Sequence, residues 1–415
     1  MLGVGVDWSE DVNQVALGRP GEGIVEEFSV PHTPEGVELL IGRISALEPD
    51  PTEVRVALEG RHGHLVEVLV EAGYAVVPVN PDLVSRRRGP ARAKDDGEDA
   101  RILCRMAADP LMVLRPLVPH GEEAAELRSI ARDDARAARD QRRLLNRLRA
   151  DLLAVAPELF AFGGEDLGAP TFLGLVERWP TTEAAREATG SELEAYFRGT
   201  RHGWPDRAVE KLREALASSQ FTPRAHLVRA KEATIRLHAT QLLAIHRQRR
   251  AWERRMGELL VGLGSVEGPE GKPVPAGEIY LSMPGLGARL AGRVAGEVGD
   301  HPSQFGSPAS LQSYGGTAPV TRRSGKSEYV VARRLACNGH LRDAIQQWAF
   351  CSLRESGWAR EFYDAQRASG KHHHAALRAL GNRWLEVLWH CLRKGVLYDE
   401  ATHVANRNRA LGRAA

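Results

Sequence analysis

Four acids have the types and spacing for metal-assisted chemistry on phosphodiesters: Asp7, Glu59, Asp96 and Asp99. Asp7 follows the alternating stretch Val4-Gly5-Val6, and Glu59 follows the alternation Val54, Val56, Leu58, so both read as residues at strand ends. Asp96 and Asp99 are three apart in a helical stretch, differ by roughly 60° about the axis and share a face. Two divalent ions about 4 Å apart activate an attacking oxygen and stabilise the leaving one in phosphoryl transfer. Magnesium prefers carboxylate and water oxygens. Clustered carboxylates repel one another, and bound cations relieve that cost. Acids after strands or early in helices also serve as caps and dipole partners, so spacing alone leaves both uses open. An Asp closing a first strand also opens actin-like kinases, which need glycine-rich phosphate loops downstream; none occurs in 1–115.

A second group lies far along the chain, in Arg322-Arg323-Ser324-Gly325-Lys326. A serine attacking DNA needs cations that hold the phosphate and ease loss of the hydroxyl proton. Ser324 has them in Arg322, Arg323 and Lys326; a plain basic loop reads the same way. Ser327 is a rival without the following glycine. In Met283-Pro284-Gly285-Leu286-Gly287, a helix-hairpin-helix-like turn, Gly285 and Gly287 could present backbone N–H groups to a phosphate, or serve only as a tight turn. Asn338-Gly339-His340-Leu341-Arg342 reads as a helix start with Arg342 as a phosphate ligand. Further positive charge collects at Arg86, Arg87 and Arg88 with Arg92 and Lys94, in the arginines of 128–149, and from Arg247 to Arg255. Acids interleave with the last two stretches, which fits a solvated helix face equally well. His372, His373 and His374 point to different helix faces and read as an exposed polar run.

The elements that must position these groups follow from periodicity. Residues 1–107 read as α/β: a strand at 4–6, strands at 15–17 and 24–30 joined by the turn-rich 18–23, then a helix capped by Thr33 with Pro34 at its first position. A strand to Glu59, a short helix around Leu65 to Leu69, a strand from Tyr74 to Val79 and a helix from Asp96 to Met106 follow. Pro78 suggests an edge position for its strand. Three opening strands followed by helix-strand-helix-strand is the order of an RNase H-like sheet. Residues 122–156 and 224–263 are long helical patterns, expected to pair antiparallel as a coiled-coil arm with a helical insertion at 157–221. Residues 266–278 read as a flexible linker, and 279–400 as mostly helical. The expected domains are therefore 1–115, 116–265 with the insertion, the linker 266–278, 279–400, and a tail 401–415.

Bulk properties narrow the classes. A chain of 415 residues suggests two or three domains, and 43% hydrophobic residues exclude a disordered protein. No apolar run reaches a membrane span, and Met1-Leu2-Gly3-Val4 lacks a signal-peptide pattern, so a cytoplasmic location is expected. Cys104, Cys337, Cys351 and Cys391 form no C-x-x-C pair, indicating neither a zinc site nor a disulfide framework. The net charge of +2 conceals the local clusters above.

Taken together, these residues resemble bacterial insertion-sequence transposases of the DEDD type, the IS-one-ten group, which includes the Piv DNA invertases. The resemblance covers roughly 1–155 and 279–355. It rests on Gly5-Val6-Asp7, Ala57-Leu58-Glu59, Lys94-Asp95-Asp96-Gly97-Glu98-Asp99-Ala100, Pro284-Gly285-Leu286-Gly287, Tyr314-Gly315-Gly316-Thr317-Ala318-Pro319 and Ser324-Gly325. It implies an RNase H-like domain of the RuvC kind whose Asp7, Glu59, Asp96 and Asp99 bind magnesium, with manganese as a substitute. It implies a serine transposase domain with Ser324 as the nucleophile, making a transient phosphoserine link to donor and target DNA. It further implies a structured bridge RNA as partner, a dimer or tetramer that brings the acids of one subunit to the serine of another, and a place at the bacterial nucleoid. Asp95 departs from the family's usual Ser or Thr and could compete as a ligand. The chain is also longer than typical, with the surplus in 157–221 and 266–278. The resemblance leaves a RuvC-like nuclease or junction resolvase, with water as nucleophile, and a decayed DNA-binding relative as the competing readings.

Overall fold

The structure is a computed structural model describing every residue except 60–63, 89–95, 113, 115, 118–120, 201, 219–221, 301–304, 325–326, 332–333, 335, 411 and 413–415. For residues 64, 88, 96, 321–324, 327–331 and 410 it describes the backbone alone. The chain folds as two compact units, Met1–Pro119 and His120–Ala415.

The first unit runs β1 (Leu2–Asp7), β2 (Val12–Arg19), β3 (Gly23–Pro31), α1 (Pro34–Leu47), β4 (Val54–Glu59), α2 (His64–Glu71), β5 (Ala75–Val79), α3 (Pro81–Arg88) and α4 (Asp96–Ala108). Its sheet has the order β3-β2-β1-β4-β5, with β1 to β3 antiparallel and β4 and β5 parallel to β1. This order is consistent with the expected RNase H-like sheet. Thr33 caps α1, its hydroxyl accepting from Gly36 N at 3.3 Å, and Pro34 opens the helix. Pro78 sits in β5, which is indeed an edge strand.

Strand alternation sorts the side chains onto two faces. Leu2, Val4, Val6, Val54, Val56 and Leu58 pack with α1 and α2 through Leu40, Ile44, Leu65 and Leu69. On the other face Ala57, Val77 and Val79 pack with α3 and α4 through Val84, Leu103 and Met106. The positions of β1 that face α4 are Gly3 and Gly5. A Cβ at Gly5 would lie 2.0 Å from Ala100 O and 2.2 Å from Cys104 N; one at Gly3 would lie 2.5 Å from Ala108 N. The α4 backbone therefore rests directly on β1, a seating only glycine allows.

Cys104 is fully buried in that seam, its thiol donating to Gly3 O at 3.2 Å, and burial pushes its pKa up to about 12. Burial likewise pushes Cys391 up to about 11. A thiol is neutral when protonated, so the folded state holds these protons more tightly than the unfolded chain. Their contribution is complete below the unfolded thiol pKa and is lost as pH rises toward the folded values. In the native protein Cys104 is expected to resist alkylation that readily labels it in denaturant, and stability is expected to fall above about pH 9. Mass spectrometry of labelled peptides and melting curves against pH check this; rapid native labelling of Cys104 would contradict the seating of α4.

The second unit begins with α5 (Glu122–Val155), continues through five short helices, α6 (Pro157–Gly163), α7 (Pro170–Arg178), α8 (Thr182–Glu187), α9 (Gly190–Gly199) and α10 (Pro205–Ala217), and returns along α11 (Ala225–Gly262). The long helices lie antiparallel: Glu126 meets Arg255, Asp134 meets Arg249 and Asp151 meets Lys231. At one end they share a core with the insertion, built from Leu148, Leu152, Ile235, Leu242, Leu159, Phe172, Leu193 and Leu212. At the other end Leu127, Met256 and Leu260 join a larger core with the C-terminal helices, including Ile279, Val294, Trp348, Trp384 and Leu388. Between the two cores the pairing is polar, with Arg249 donating to Asp134 at 2.8 Å and to Gln141 at 2.6 Å.

The remaining elements are β6 (Ser265–Glu267), β7 (Pro273–Pro275), α12 (Ala276–Ser282), α13 (Ala288–Val298), α14 (Pro308–Tyr314), β8 (Val320–Ser324), β9 (Ser327–Val331), α15 (Gly339–Ser352), α16 (Gly357–Ala368), α17 (His373–Lys394) and α18 (Glu400–Ala410). Residues 266–278, expected as a flexible linker, instead form the β6–β7 ribbon and open α12. The ribbon is packed so closely against the end of α17 that a Cβ at Gly395 would lie 2.3 Å from Glu267 O. The expected tail is largely α18, held by the His403 ring against Trp358, and by Glu400, at the helix start, accepting from Ser356 Oγ at 2.9 Å. Among the described residues no helix is long and apolar enough to cross a membrane.

Candidate functional site

Asp7 is the last residue of β1 and Glu59 the last of β4; these strands are parallel neighbours in register through Val6 and Leu58. Continuing that register sets Asp7 beside Glu59 at the carboxyl edge of the sheet. By alternation both follow Gly5 and Ala57 onto the face that carries α4. Helix α4 runs opposite to β1, since Ala108 lies at Gly3 while Ala100 and Cys104 lie at Gly5. Its first turn, which carries Asp96 and Asp99, therefore comes to the same edge as Asp7. Asp99 is buried, at 2% exposure, while Asp7 and Glu59 are half-buried. Glu98 pairs with Arg101 at 2.9 Å, and Arg101 also reaches Glu27 on β3 at 2.8 Å, tying α4 across the sheet.

The topology thus brings Asp7, Glu59, Asp96 and Asp99 to one end of the sheet. Hard carboxylate oxygens suit magnesium, so the donor chemistry fits a divalent ion. Among the described residues no group of three or more His, Cys, Asp or Glu side chains is gathered closely enough to hold a metal ion; the side chain of Asp96 lies outside them, as do Lys94 and Asp95 altogether. Sequence reasoning missed the role of Gly3 and Gly5, although the Val-Gly alternation in a strand is the signal for a close backbone approach.

The basic residues divide. Arg86 and Arg87 are exposed on α3, a helix not expected from the sequence, and Arg87 lies 3.6 Å from Met112 Sδ. The side chain of Arg88 is outside the described residues. Ser324 ends β8 and pairs in register with its rival Ser327 at the start of β9. The first part of the expected basic loop is therefore strand β8, paired with β9. The side chains of Arg322, Arg323 and Ser324, and the whole of Gly325 and Lys326, lie outside the described residues.

The helix turn at 283–287 needs a correction. Gly285 has φ +81° and is buried; its N–H donates to the Glu355 carboxylate at 2.7 Å, and a Cβ there would lie 2.6 Å from Ser352 N. That N–H is committed inside the protein rather than turned to a phosphate, because the turn must pass close to the end of α15. Gly287 is exposed and precedes α13. Asn338 caps α15 as expected, accepting from Leu341 N at 3.0 Å, and Arg342 pairs with Asp343 at 3.2 Å. In the histidine run, His373 Nδ1 lies 2.7 Å from Tyr363 Oη and His374 lies near Gln346, which ties both to neighbouring helices.

Comparison with known proteins adds to this geometry. Residues 4–157 match a DEDD-type family profile described as a transposase, and residues 277–364 match one described as the transposase IS116/IS110/IS902 family. The chain is 31% identical over 407 residues to a mini-circle protein assigned as the transposase of IS117 in Streptomyces coelicolor, covering 95% of both chains. It is 29% identical over 383 residues to the 43.6 kDa protein of insertion element IS110 from the same organism, covering 88% of this chain and 91% of that one. It is 27% identical over 378 residues to the 42 kDa protein of insertion element IS900 from Mycobacterium paratuberculosis, covering 88% and 89%.

Proposed function

Because the chain belongs to the IS116/IS110/IS902 family of DEDD transposases, we propose that it cuts and rejoins DNA with two sets of residues. One is the acidic set Asp7, Glu59, Asp96 and Asp99; the other is the serine nucleophile Ser324 with its flanking cations. The observation that carries the acidic set is the direct seating of α4 on Gly3 and Gly5, which delivers the first turn of that helix to the strand ends of Asp7 and Glu59.

In this reading the four carboxylates hold magnesium, or manganese in its stead. The metal, when bound, supplies positive charge that polarises the phosphate and offsets charge on the leaving oxygen. The protein residues do the rest. Ser324 loses its hydroxyl proton as Oγ bonds to phosphorus, and one ester bond of the DNA breaks, releasing a DNA hydroxyl. A second DNA hydroxyl later displaces Ser324, which takes back a proton, so no bond energy is lost to water. Arg322, Arg323 and Lys326 hold the phosphate by charge-assisted hydrogen bonds. Donor and target DNA are the substrates. A structured bridge RNA supplies sequence recognition, and a dimer or tetramer brings the acids of one copy to the serine of another. The paired helices α5 and α11 serve as a coiled-coil arm, and the protein works in the bacterial cytoplasm at the nucleoid.

The test is covalent trapping. Protein, magnesium, the RNA transcribed beside the gene and labelled donor DNA are mixed and resolved on a denaturing gel. A protein–DNA adduct is expected from the wild type, and none from Ser324→Ala or after chelation of the metal. Cleavage that persists in Ser324→Ala without an adduct would remove the serine and leave a nuclease that uses water.

A further inference from the structure

The arginines of α5 form a single stripe. Arg132, Arg136, Arg139, Arg143 and Arg147 recur at steps of three or four residues and fall within an arc of about 80°. No acid of α5 lies within that arc over this length. The stripe is roughly 22 Å long at 1.5 Å per residue. Arg136, Arg139, Arg143 and Arg147 are exposed. Asp133 and Asp140 sit on one flank and pair with Arg136 and Arg143, but these are solvent-facing i,i+3 pairs, worth little against a polyanion.

One end of the stripe is fixed to the base of the Ser324 hairpin. Arg132 makes a two-pronged pair with Glu297 on α13, at 2.7 and 2.9 Å. Glu297 accepts from Asn338 Nδ2 at 2.7 Å, and the same amide lies 2.7 Å from Tyr314 Oη. Tyr314 precedes β8 and Asn338 follows β9, so the two residues bracket the hairpin, and Asn338 N also donates to Tyr314 O at 2.8 Å. Beside this junction stand Arg293 on α13, whose side chain donates to Gln347 at 2.8 Å, and His340 on the first turn of α15. Burial depresses both cations. The charges of Arg132, Arg139 and Arg136 press His340 further down against the opposing Glu297, and for Arg293 the charges of Arg249 and Arg139 work against Asp134 and Asp343. Burial is the main cause of both shifts, and the arginines of α5 add to it at His340.

We propose that the Arg136–Arg147 stretch of α5 is a backbone track for the duplex DNA that flanks the phosphate presented to Ser324. That stretch, about 16 Å long, matches about five base pairs, and its straight single-sign row suits phosphates rather than base edges. This rests on the reading of Ser324 as the nucleophile only for which phosphate the duplex carries; the binding itself involves no bond cleavage and is measured separately.

The test uses the full chain and fluorescence anisotropy with two probes, a labelled duplex DNA and a labelled structured RNA hairpin, across a salt series. The triple variant Arg136→Gln, Arg139→Gln, Arg143→Gln is compared with a charge-matched control on exposed arginines elsewhere, Arg207→Gln, Arg224→Gln, Arg229→Gln. The stripe triple is expected to reduce the slope of log affinity against log salt by about 3 for DNA, and Arg139→Gln alone by about 1. The control is expected to leave the slope unchanged, and Arg→Lys at the three stripe positions is expected to restore it. An unchanged slope for DNA, an equal loss in the control, or loss confined to the RNA probe would each overturn the proposal. A serine that fails the trapping test would leave this result standing.

Discussion

Asp7→Asn is expected to lower DNA strand cleavage roughly 10³-fold, about 4 kcal/mol of barrier, while the melting temperature stays near that of the wild type. The substitution keeps the shape of the residue and removes one charged oxygen from the acid set at the carboxyl edge of the sheet. Asp7 ends β1 and is only half-buried, so no apolar packing depends on it. Asp11→Asn, on the exposed turn after the same strand, is the matched control and should cleave normally. Cleavage rates on a labelled substrate, with thermal melts of each variant, decide the matter. An Asp7→Asn protein that cuts at the wild-type rate would remove Asp7 from the chemistry altogether.

Gly5→Ala should damage the same site without touching an acid. The added methyl would sit 2.0 Å from Ala100 O and 2.2 Å from Cys104 N, both backbone atoms that cannot swing aside. Helix α4 must lift by something near an ångström, at a cost of about 1–3 kcal/mol for overpacking. The lift carries the first turn of α4 away from Asp7 and Glu59, and a misplacement of about 1 Å costs roughly 10²-fold in rate. Gly3→Ala meets Ala108 N at 2.5 Å, at the opposite end of the helix from the acids. It should cost similar stability and much less activity. Equal activity loss in the two variants would mean that stability alone, and not acid placement, sets the rate.

The sequence carried most of the first unit because its elements have strong local signals. Thr33-Pro34 announced α1, the alternation up to Glu59 announced β4, and Pro78 marked an edge strand. The long helices were legible to within a residue or two from apolar positions repeating without interruption by proline. The misses were elements whose stability comes from distant partners. The β6–β7 ribbon is three residues a side, rich in Gly and Pro, and is held by the end of α17, more than a hundred residues on. The β8–β9 pairing was hidden because arginines occupy strand positions of β8, which left no apolar alternation to read. Helix α3 is eight residues long and ends in three arginines, which leaves little apolar periodicity to read. The misassignment of Gly285 has a similar origin: a glycine needed for close packing and one needed for a phosphate look alike until the carboxylate of Glu355, seventy residues away, is seen.

The polar stretch between the two cores of the second unit bears on how the chain assembles. Apolar cooperativity is short-ranged, so α5 and α11 thread two folding blocks rather than one. The block around Leu152, Phe172 and Leu242 uses contacts local to 144–243 and closes its loop at modest entropic cost. The other block must join residues as distant as Leu127 and Leu388. Formed first, the local block sets the register of the two long helices, and the pairs of Arg249 with Asp134 and Gln141 transmit that register toward Leu127 and Met256. The long-range step is then expected to begin from helices already aligned.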